Sequence, residues 1–160
     1  MSDIIYDEDD LELVIFSKHE KVLEIIMSSM EESEYRSAYL MLSNSLSYRD
    51  RELYIYKDIG TVGLFFPEEV DGVCWLSYFA VKKEFRSRGL GSFLLSYILS
   101  IAKKRGMDRI LVETFSTPIY EDAIELYKKF GFYQIGYMDL YHKNKTCLYF
   151  GKLIKAGELY

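Results

Sequence analysis

A short basic turn carries the residues with the clearest chemical use. Residues 82–88 hold four cationic side chains and one acidic side chain, and Gly89 and Gly91 follow directly. Glycine lets a ligand approach the backbone closely, and the unpaired N–H groups at the start of a helix attract anions. Cationic side chains and the helix dipole strengthen that attraction. The turn therefore predicts a site for an anion such as a phosphate.

Two common phosphate motifs do not fit this turn. A P-loop requires Lys followed by Ser or Thr after its second glycine, whereas Gly91 is followed by Ser92 and Phe93. A dinucleotide fingerprint requires a third glycine where this chain has Leu94. The run RSRGLG, residues 86–91, instead resembles the Gln/Arg-x-x-Gly-x-Gly/Ala signature of the GNAT superfamily of N-acetyltransferases.

A second block carries the same resemblance. Residues 123–132, AIELYKKFGF, are similar to the Ala-x-x-Leu-Tyr-x-Lys-x-Gly-Phe segment that follows the turn in many GNAT enzymes. The resemblance covers roughly residues 52–154 and is strongest over residues 79–132. It implies an α/β GNAT fold, with a central mixed, mostly antiparallel sheet flanked by helices. It also implies that the basic turn binds the pyrophosphate of acetyl-coenzyme A.

The turn lies between a strand and a helix that must position it. Residues 73–81 have no charge and are rich in aromatic and β-branched side chains, which predicts a central strand covered on both faces. After the turn, three-to-four spacing of apolar residues predicts an amphipathic helix that Gly106 ends. Its predicted buried face is Leu90, Phe93, Leu94, Tyr97, Ile98, Ile101 and Ala102.

The rest of the chain completes one α/β domain over residues 1–160 with a mixed sheet. Alternating and apolar runs predict further strands at residues 11–16, 52–57, 61–66, 109–115, 132–138 and 146–154. Helical spacing and capping patterns predict helices at residues 18–31, 35–42 and 119–130. Residues 139–145 are expected to connect the last two strands.

The resemblance also implies a set of cofactor-binding residues. Strand 73–81 is expected to splay from strand 109–115. Main-chain groups near Phe79 and Val81 are expected to pair there with the amides of pantetheine. A main-chain N–H at the same place is expected to polarise the thioester carbonyl. The side chains of Phe79 and Val81 are expected to belong to the core. The full set is Phe79, Ala80, Val81, Arg86, Ser87, Arg88, Gly89, Leu90, Gly91, Ser92, Ala123 and Tyr127.

Two residues are candidates for catalysis. Tyr127 occupies the position that protonates the leaving thiolate in many GNAT enzymes, and tyrosine stays protonated at neutral pH. Its alternative role is amphipathic packing in a helix. Glu113 is the only acid in the run 110–115, which is expected to be buried. It is interpreted as a base acting through water, a substrate-binding group or a structural hydrogen-bond acceptor.

The acceptor pocket has a further set of candidate residues: Tyr78, Glu113, Tyr120, Asp139 and Tyr141. For Tyr120, Asp139 and Tyr141 a solvated surface position is the alternative. Many relatives carry Asn three residues before the alanine matched by Ala123, where this chain has Tyr120. That departure removes a conventional hydrogen bond and directs Tyr120 toward the acceptor pocket.

Composition narrows the class of protein. In 160 residues, 49% are hydrophobic and 28% are charged, which is typical of a globular domain. The net charge of −5 argues against nucleic acid as a partner, and no apolar run is long enough for a membrane span. The acidic N-terminal stretch lacks the features of a secretory signal, so we expect a cytoplasmic protein.

The cysteines and histidines suggest no covalent or metal chemistry. Cys74 and Cys147 each lie in an apolar strand-like segment, which predicts buried free thiols. His19 and His142 are far apart in the sequence and lack ligand spacing, so no metal site is expected.

Together these observations predict an N-acetyltransferase that transfers acetyl from acetyl-CoA directly to a primary amine in a ternary complex. The acceptor, a small molecule or a peptide, is not determined by any stretch of the sequence. One alternative is a catalytically silent GNAT-fold module that binds acyl-CoA as a regulatory signal. Another is an interaction protein that uses its many tyrosines and has no cofactor affinity. A homodimer is a further expectation from the resemblance.

Overall fold

The computed structural model describes residues 4–14, 18–30, 32, 35–36, 39–40, 50–142 and 145–154. Within these residues seven strands form one sheet, in the order β1-β2-β3-β4-β5-β7-β6. The strands are β1 Leu11–Leu13, β2 Arg51–Tyr56, β3 Gly60–Phe65, β4 Val73–Val81, β5 Arg109–Phe115, β6 Tyr133–His142 and β7 Lys145–Leu153. Only β4 and β5 pair in parallel, and every other neighbouring pair is antiparallel. The mixed, mostly antiparallel sheet is confirmed.

Helices flank the sheet on both faces. Three α-helices have both of their ends in the described part of the chain: α1 His19–Met27, α2 Leu90–Lys104 and α3 Glu121–Lys129. Short 3-10 turns span Glu8–Asp10, Lys83–Phe85 and Pro118–Tyr120. None of the helices in the described part of the chain is long and apolar enough to cross a membrane.

Most predicted boundaries agree with these elements within one or two residues. The bounds of β4 and β5 agree at both ends. Residues 139–145 were expected to be a connection, but β6 continues to His142 and β7 begins at Lys145, so the two strands form a longer hairpin. The end of the first predicted strand, residues 15–16, lies outside the described residues. The second predicted helix, residues 35–42, lies partly outside them, and its four described positions 35, 36, 39 and 40 have helical backbone.

The main core lies between the sheet and helices α2 and α3. Leu90, Leu94, Ile98 and Ala102 of α2 are buried there as predicted, together with Leu95, which the spacing argument missed. Phe93, Tyr97 and Ile101 pack only partly against this core. A smaller cluster joins α1 to the other face of the sheet through Val22, Ile25, Ile26, Ile55 and Ala80.

Strand β4 is not covered on both faces along its length. Cys74 and Leu76 are buried, whereas Trp75 and Ser77, which alternate with them, are half-buried. Helix α1 packs near Ala80 and Tyr78, at the far end of β4. The apolar character of the strand therefore reflects aromatic residues on a partly open face as well as a buried core.

Gly106 ends helix α2 in a left-handed conformation, with a φ of 75° and open space around its Cβ position. We expect Gly106→Ala to lower the free energy of unfolding by about 1 kcal/mol, because L-residues with a Cβ disfavour this conformation. Chemical denaturation measures the change. Gly136→Ala is the matched control, because Gly136 also has open space but no positive φ. Equal effects of the two substitutions would contradict a conformational origin.

Candidate active site

A cleft opens where strands β4 and β5 separate. They pair only from Val73–Trp75 to Arg109–Leu111, although β4 continues to Val81 and β5 to Phe115. The predicted splay of the two strands is confirmed. A cavity of about 370 Å³ lies between the end of β4, the basic turn and α3. Its lining is Ser29, Phe79, Ala80, Val81, Arg86, Ser87, Gly89, Gly91, Ser92, Ile119, Tyr120, Asp122, Ala123, Glu125, Leu126 and Lys129.

A bulge in β4 shapes the wall of this cleft. Ser77 pairs with Gly63 and Ala80 with Thr61, so Tyr78 and Phe79 together oppose one residue of β3. Tyr78 has a φ of 48°, which is rare for a bulky side chain and marks local strain. A bulge leaves backbone groups outside the regular ladder, here beside the cleft. No glycine or proline within β4 signals this bulge in the sequence.

The bulge also decides which way the strand's side chains face. Phe79 and Val81 pack against the main core, as predicted, while Tyr78 and Ala80 pack toward α1. Phe79, Ala80 and Val81 all contribute to the cleft wall. The end of β4 therefore offers both backbone and apolar surface to a ligand.

The basic turn and the start of helix α2 border the cleft. Ser87 and Gly89 have φ values of 59° and 88°, a left-handed backbone of the kind that builds anion-binding concavities. Gly89 caps helix α2 without a side-chain hydrogen bond, so the first-turn amides of Leu90, Gly91 and Ser92 have no helical acceptor or cap. Gly89, Gly91 and Ser92 line the cleft. This uncapped helix start fits a pyrophosphate.

The two arginines of the turn have different surroundings. The Nε of Arg86 donates to the carbonyl of Val81 at 3.0 Å, which holds the guanidinium at the edge of the cleft. The guanidinium of Arg88 lies over the ring of Phe85, 5.8 Å from its centroid, and Arg88 does not line the cleft. The structure thus separates two residues that the sequence analysis placed together in the cofactor-binding set.

Gly91 has a packing role in addition to the predicted one. A Cβ there would lie 3.3 Å from Cδ2 of Leu126 and 3.8 Å from Cζ of Phe79. Its missing side chain therefore lets α2 approach α3 and the end of β4. Leu90 is 1% exposed and belongs to the core, so only its backbone can serve the turn.

Tyr127 lies behind the cleft wall. Its side chain is buried, and its ring centroid lies 6.2 Å from that of Phe79 and 5.6 Å from that of Phe132. Burial raises the pKa of the Tyr127 hydroxyl above its ordinary value, because the phenolate would be poorly solvated. The residue therefore stays protonated across the neutral range, and it does not itself line the cleft.

Glu113 was expected in a buried run, and that expectation is wrong. Ile110, Val112 and Thr114 of β5 are buried, whereas Glu113 lies on the opposite, exposed face. Strand alternation explains this, because successive side chains point to opposite faces. Partial desolvation still raises the pKa of its carboxyl, and a hydrogen bond with the Cys147 thiol lowers it in part.

The predicted acceptor-pocket residues do not all meet at one place. Tyr120 lines the cleft, and its ring centroid lies 6.0 Å from that of Phe115. Tyr78 accepts a hydrogen bond from Nη1 of Arg51 at 3.3 Å. Asp139 accepts from the hydroxyl of Thr146 at 2.9 Å within the β6–β7 hairpin, and it does not line the cleft. Tyr141 belongs to β6, and its side chain lies outside the described part.

Several cleft residues were missed by motif reasoning. Most of them lie on the face of α3 that carries Ala123 or in the turn before this helix. These residues are Ile119, Asp122, Glu125, Leu126 and Lys129. Ile119, Asp122, Leu126 and Lys129 follow one another in steps of three or four residues, and this helical spacing was the available signal. Ser29, after α1, also reaches the cleft, and no spacing pattern relates it to the turn.

The Cys147 thiol offers a direct test of the Glu113 environment. Both cysteines are buried and free, as predicted. We expect Cys147→Ala to raise the pKa of Glu113 further, because the hydrogen bond that favours the carboxylate is lost. Carbon-13 NMR titration of the carboxyl measures the midpoint. Cys74→Ala is the control, because the Cys74 thiol donates to the carbonyl of Arg109 instead. A shift of the Glu113 midpoint in Cys74→Ala would contradict the assignment, and so would an unchanged midpoint in Cys147→Ala.

The linked effect on stability has a definite sign. The folded-state pKa of Glu113 is raised, so its contribution to stability is fully present below the unfolded-state pKa and is lost as pH rises through the folded-state value. In Cys147→Ala we therefore expect the free energy of unfolding to fall more steeply as pH rises. The fall should begin near the ordinary glutamate pKa of about 4.3 and continue above it.

Comparison with known proteins agrees with this geometry. The model of the acetyltransferase (GNAT) family matches residues 19–132. A sequence search of curated proteins gave no significant match. A solved structure assigned to the GNAT acetyltransferases, from Desulfovibrio desulfuricans, is similar with a TM-score of 0.77 at 16% identity, covering 90% of this chain and 98% of that one.

Two further structures extend the similarity. The ribosomal-protein-alanine N-acetyltransferase of Escherichia coli has a TM-score of 0.72 at 17% identity, covering 94% of this chain and 97% of that one. An aminoglycoside 6′-N-acetyltransferase complexed with coenzyme A has a TM-score of 0.65 at 16% identity, covering 90% and 96%. At these identities the structures establish a shared fold.

The family match extends over well more than half of the chain and includes the end of β4, the basic turn and α3. These elements surround the cleft, whose uncapped helix start fits the pyrophosphate of coenzyme A. The chain therefore belongs to the acetyltransferase (GNAT) family, whose enzymes transfer the acetyl group of acetyl-CoA to an amine.

Proposed function

We propose that this acetyl-CoA-dependent N-acetyltransferase acetylates a primary amine directly in a ternary complex, using the cleft between the end of β4 and helix α3. The observation that carries the proposal is the position of the basic turn beside the splayed strands: its uncapped amides and Arg86 line the same cavity as Phe79, Ala80 and Val81. The same cavity thus contains an anion-binding turn and the end of β4 that is not paired with β5.

The residues that would hold the cosubstrate divide into two groups. The turn from Arg86 to Ser92 would hold the pyrophosphate through backbone N–H groups and the Arg86 guanidinium. The bulged end of β4 would offer main-chain groups to the pantetheine arm, and Ala123 leaves room on the facing helix. Acetyl-CoA supplies an acetyl group activated as a thioester. We assign a main-chain N–H beside the bulge as the group that stabilises the negative charge on the acyl oxygen during transfer.

Proton movements are assigned to two side chains. Tyr127 holds a proton on Oη throughout the neutral range because burial raises its pKa, so it can serve as the acid at the leaving sulfur. Phe79 lines the cleft and its ring packs against that of Tyr127, so we propose that a turn of the Phe79 side chain opens a path to the hydroxyl. Glu113 is assigned as the base that removes the amine proton through water, because its raised pKa brings it nearer to neutrality.

The acceptor pocket is assigned to the region around Tyr120, where the cleft meets β5. Asp122 and Glu125 also line the cavity, and their carboxylates favour an acceptor that arrives as a cation. Tyr78 and Glu113 lie on neighbouring splayed strands, and Asp139 and Tyr141 belong to the β6–β7 hairpin. Relatives of this fold include enzymes named for a protein N-terminal alanine and for an aminoglycoside. We propose a primary amine on either a small molecule or a peptide.

Three wider features complete the proposal. One domain spans the chain, because a single sheet draws its strands from residues 11–153. A cytoplasmic location is supported by two buried, unpaired cysteines. A homodimer is supported by the exposed apolar side chains of the edge strand β6, namely Tyr133, Ile135, Tyr137 and Met138.

The test combines binding with turnover. The protein is incubated with acetyl-CoA and a pooled panel of polyamines, amino acids, aminoglycosides and peptides, and acetylated products and free thiol are followed by mass spectrometry and a thiol assay. We expect one acceptor class to become acetylated in step with thiol release. Tight binding of CoA by calorimetry without product from any acceptor class would favour the silent acyl-CoA sensor. Absence of CoA binding would refute the assignment of the cleft.

A further inference from the structure

Tyr6 contacts the basic turn from outside the cleft. Its hydroxyl donates to the carbonyl of Arg88 at 2.6 Å. Its ring centroid lies 5.5 Å from that of Phe93 in α2, and its Cε2 atom is 3.6 Å from the Cβ position of Gly89. Tyr6 itself does not line the cavity, whereas Gly89 does. The turn therefore lies between the Tyr6 side chain and the cleft.

This hydrogen bond fixes the direction of one peptide group. None of the peptide bonds in the described residues is cis, and in a trans peptide the C=O and the following N–H point in opposite directions. When Tyr6 holds the Arg88 carbonyl on the outer side, the N–H of Gly89 points away from Tyr6, toward the cleft. The Gly89 N–H is also the last amide before the helix, next to the uncapped first turn.

The backbone around this peptide allows it to rotate when the hydrogen bond is absent. Ser87 and Gly89, the residues on either side of Arg88, both have left-handed backbone, and glycine crosses between φ regions at little cost. The guanidinium of Arg88 lies over the ring of Phe85, 5.8 Å from its centroid, and the described contacts show no hydrogen bond from it to the Arg88–Gly89 peptide. Within the described residues, Tyr6 Oη is the side-chain group recorded on this carbonyl.

The segment that carries Tyr6 is itself tied to the sheet. Asp10 accepts a hydrogen bond from the hydroxyl of Tyr56 at 3.3 Å and pairs with Nζ of Lys57 at 2.6 Å. Strand β1, directly after Asp10, pairs with β2. The Tyr6 ring also meets the ring of Tyr56 edge-on, with centroids 5.9 Å apart. The Lys57–Asp10 ion pair, the β1–β2 pairing and the ring contact hold the segment, and none of these three needs the Tyr56 hydroxyl.

We propose that Tyr6 is a positioning residue for the pyrophosphate of acetyl-CoA: its hydroxyl holds the Arg88–Gly89 peptide so that the Gly89 N–H faces the bound phosphate. The inference rests on the proposed role of the turn. It assigns a cofactor-binding function to the N-terminal segment, which lies outside both sequence motifs. No covalent step involves Tyr6, and its effect passes through the backbone of the turn alone.

The test compares two hydroxyl deletions in one aromatic cluster. Tyr6→Phe removes the bond to the turn and keeps the ring contacts. Tyr56→Phe is the matched control, because its hydroxyl holds Asp10 of the same segment and makes no recorded contact with the turn. Calorimetry gives the Kd for coenzyme A, and NMR titration gives the Kd for pantetheine, which lacks the pyrophosphate. Thermal unfolding verifies that both variants are folded.

We expect Tyr6→Phe to weaken coenzyme A binding about threefold to tenfold, as the loss of one neutral hydrogen bond implies. Pantetheine affinity should be unchanged, and Tyr56→Phe should bind both ligands like the wild type. Equal losses in the two variants, or a loss for pantetheine as well, would indicate general loosening and overturn the proposal.

Arg86→Ala separates this inference from the function on which it rests. If Arg86→Ala loses coenzyme A affinity while Tyr6→Phe does not, the turn binds the pyrophosphate without help from Tyr6, and the inference is wrong. If neither variant changes the affinity, the turn is not the pyrophosphate site, and both proposals fall.

Discussion

Tyr127→Phe is expected to lower kcat by about 100-fold or more while leaving the affinity for acetyl-CoA nearly unchanged. Loss of a positioned general acid typically costs between about 10²-fold and 10⁴-fold in rate. The ring of Tyr127 packs between Phe79 and Phe132, and phenylalanine keeps those contacts. The change therefore removes the proposed proton donor and keeps the ring contacts beside the cleft. Steady-state kinetics with a confirmed acceptor measure kcat and KM separately.

Tyr54→Phe is the matched control for that experiment. Tyr54 is also buried, and burial raises its pKa to about 12, but its ring packs against Tyr97 rather than against the cleft wall. We expect its kcat to equal that of the wild type. A Tyr127→Phe enzyme with wild-type kcat would show that Tyr127 is only a packing residue, which was the alternative left open by its helical position.

The pH dependence provides a second readout for Tyr127. Because burial raises its pKa, the hydroxyl remains protonated as pH rises through the ordinary tyrosine range near 10. A loss of wild-type kcat between about pH 8 and pH 9 that disappears in Tyr127→Phe would contradict a strongly raised pKa. The ascending part of the profile would instead report the acceptor amine and its base.

The sequence predicted the parts of the fold that follow from local pattern. The uncharged run 73–81 and the run 109–115 agree with β4 and β5 at both ends, because apolar strand residues bounded by turn residues leave few alternatives. The spacing of Leu90, Leu94 and Ile98 likewise identified the buried face of α2. These features depend on residues close together in the chain.

Other parts of the site depend on contacts that a single sequence does not show. Glu113 appeared buried because its neighbours are apolar, but alternation places it on the opposite face from Val112 and Thr114. The bulge at Tyr78 arises from pairing with β3 and has no local signature. Tyr6 and Ser29 reach the turn and the cleft from distant segments, so only the tertiary structure relates them to the motifs.

The different surroundings of the two arginines have a chemical consequence. The Nε of Arg86 donates to the Val81 carbonyl, so its two Nη groups remain as the donors for a planar, bidentate contact with phosphate. Arg88 lies over an aromatic ring away from the cleft, so it can attract the anion only at longer range. Salt screens the long-range contribution more strongly than a direct contact.

Arg86→Ala is accordingly expected to weaken coenzyme A binding by about tenfold to 100-fold, the range for losing a charge-assisted hydrogen bond. Arg88→Ala removes the same charge and should cost less, with an effect that fades as salt is added. Arg86→Lys should recover only part of the affinity, because an ammonium cannot both hold Val81 and span two phosphate oxygens. Calorimetry at low and high salt measures all three. Equal losses at both arginines would mean that the turn attracts the pyrophosphate by charge alone, without the geometry that the Val81 carbonyl imposes on Arg86.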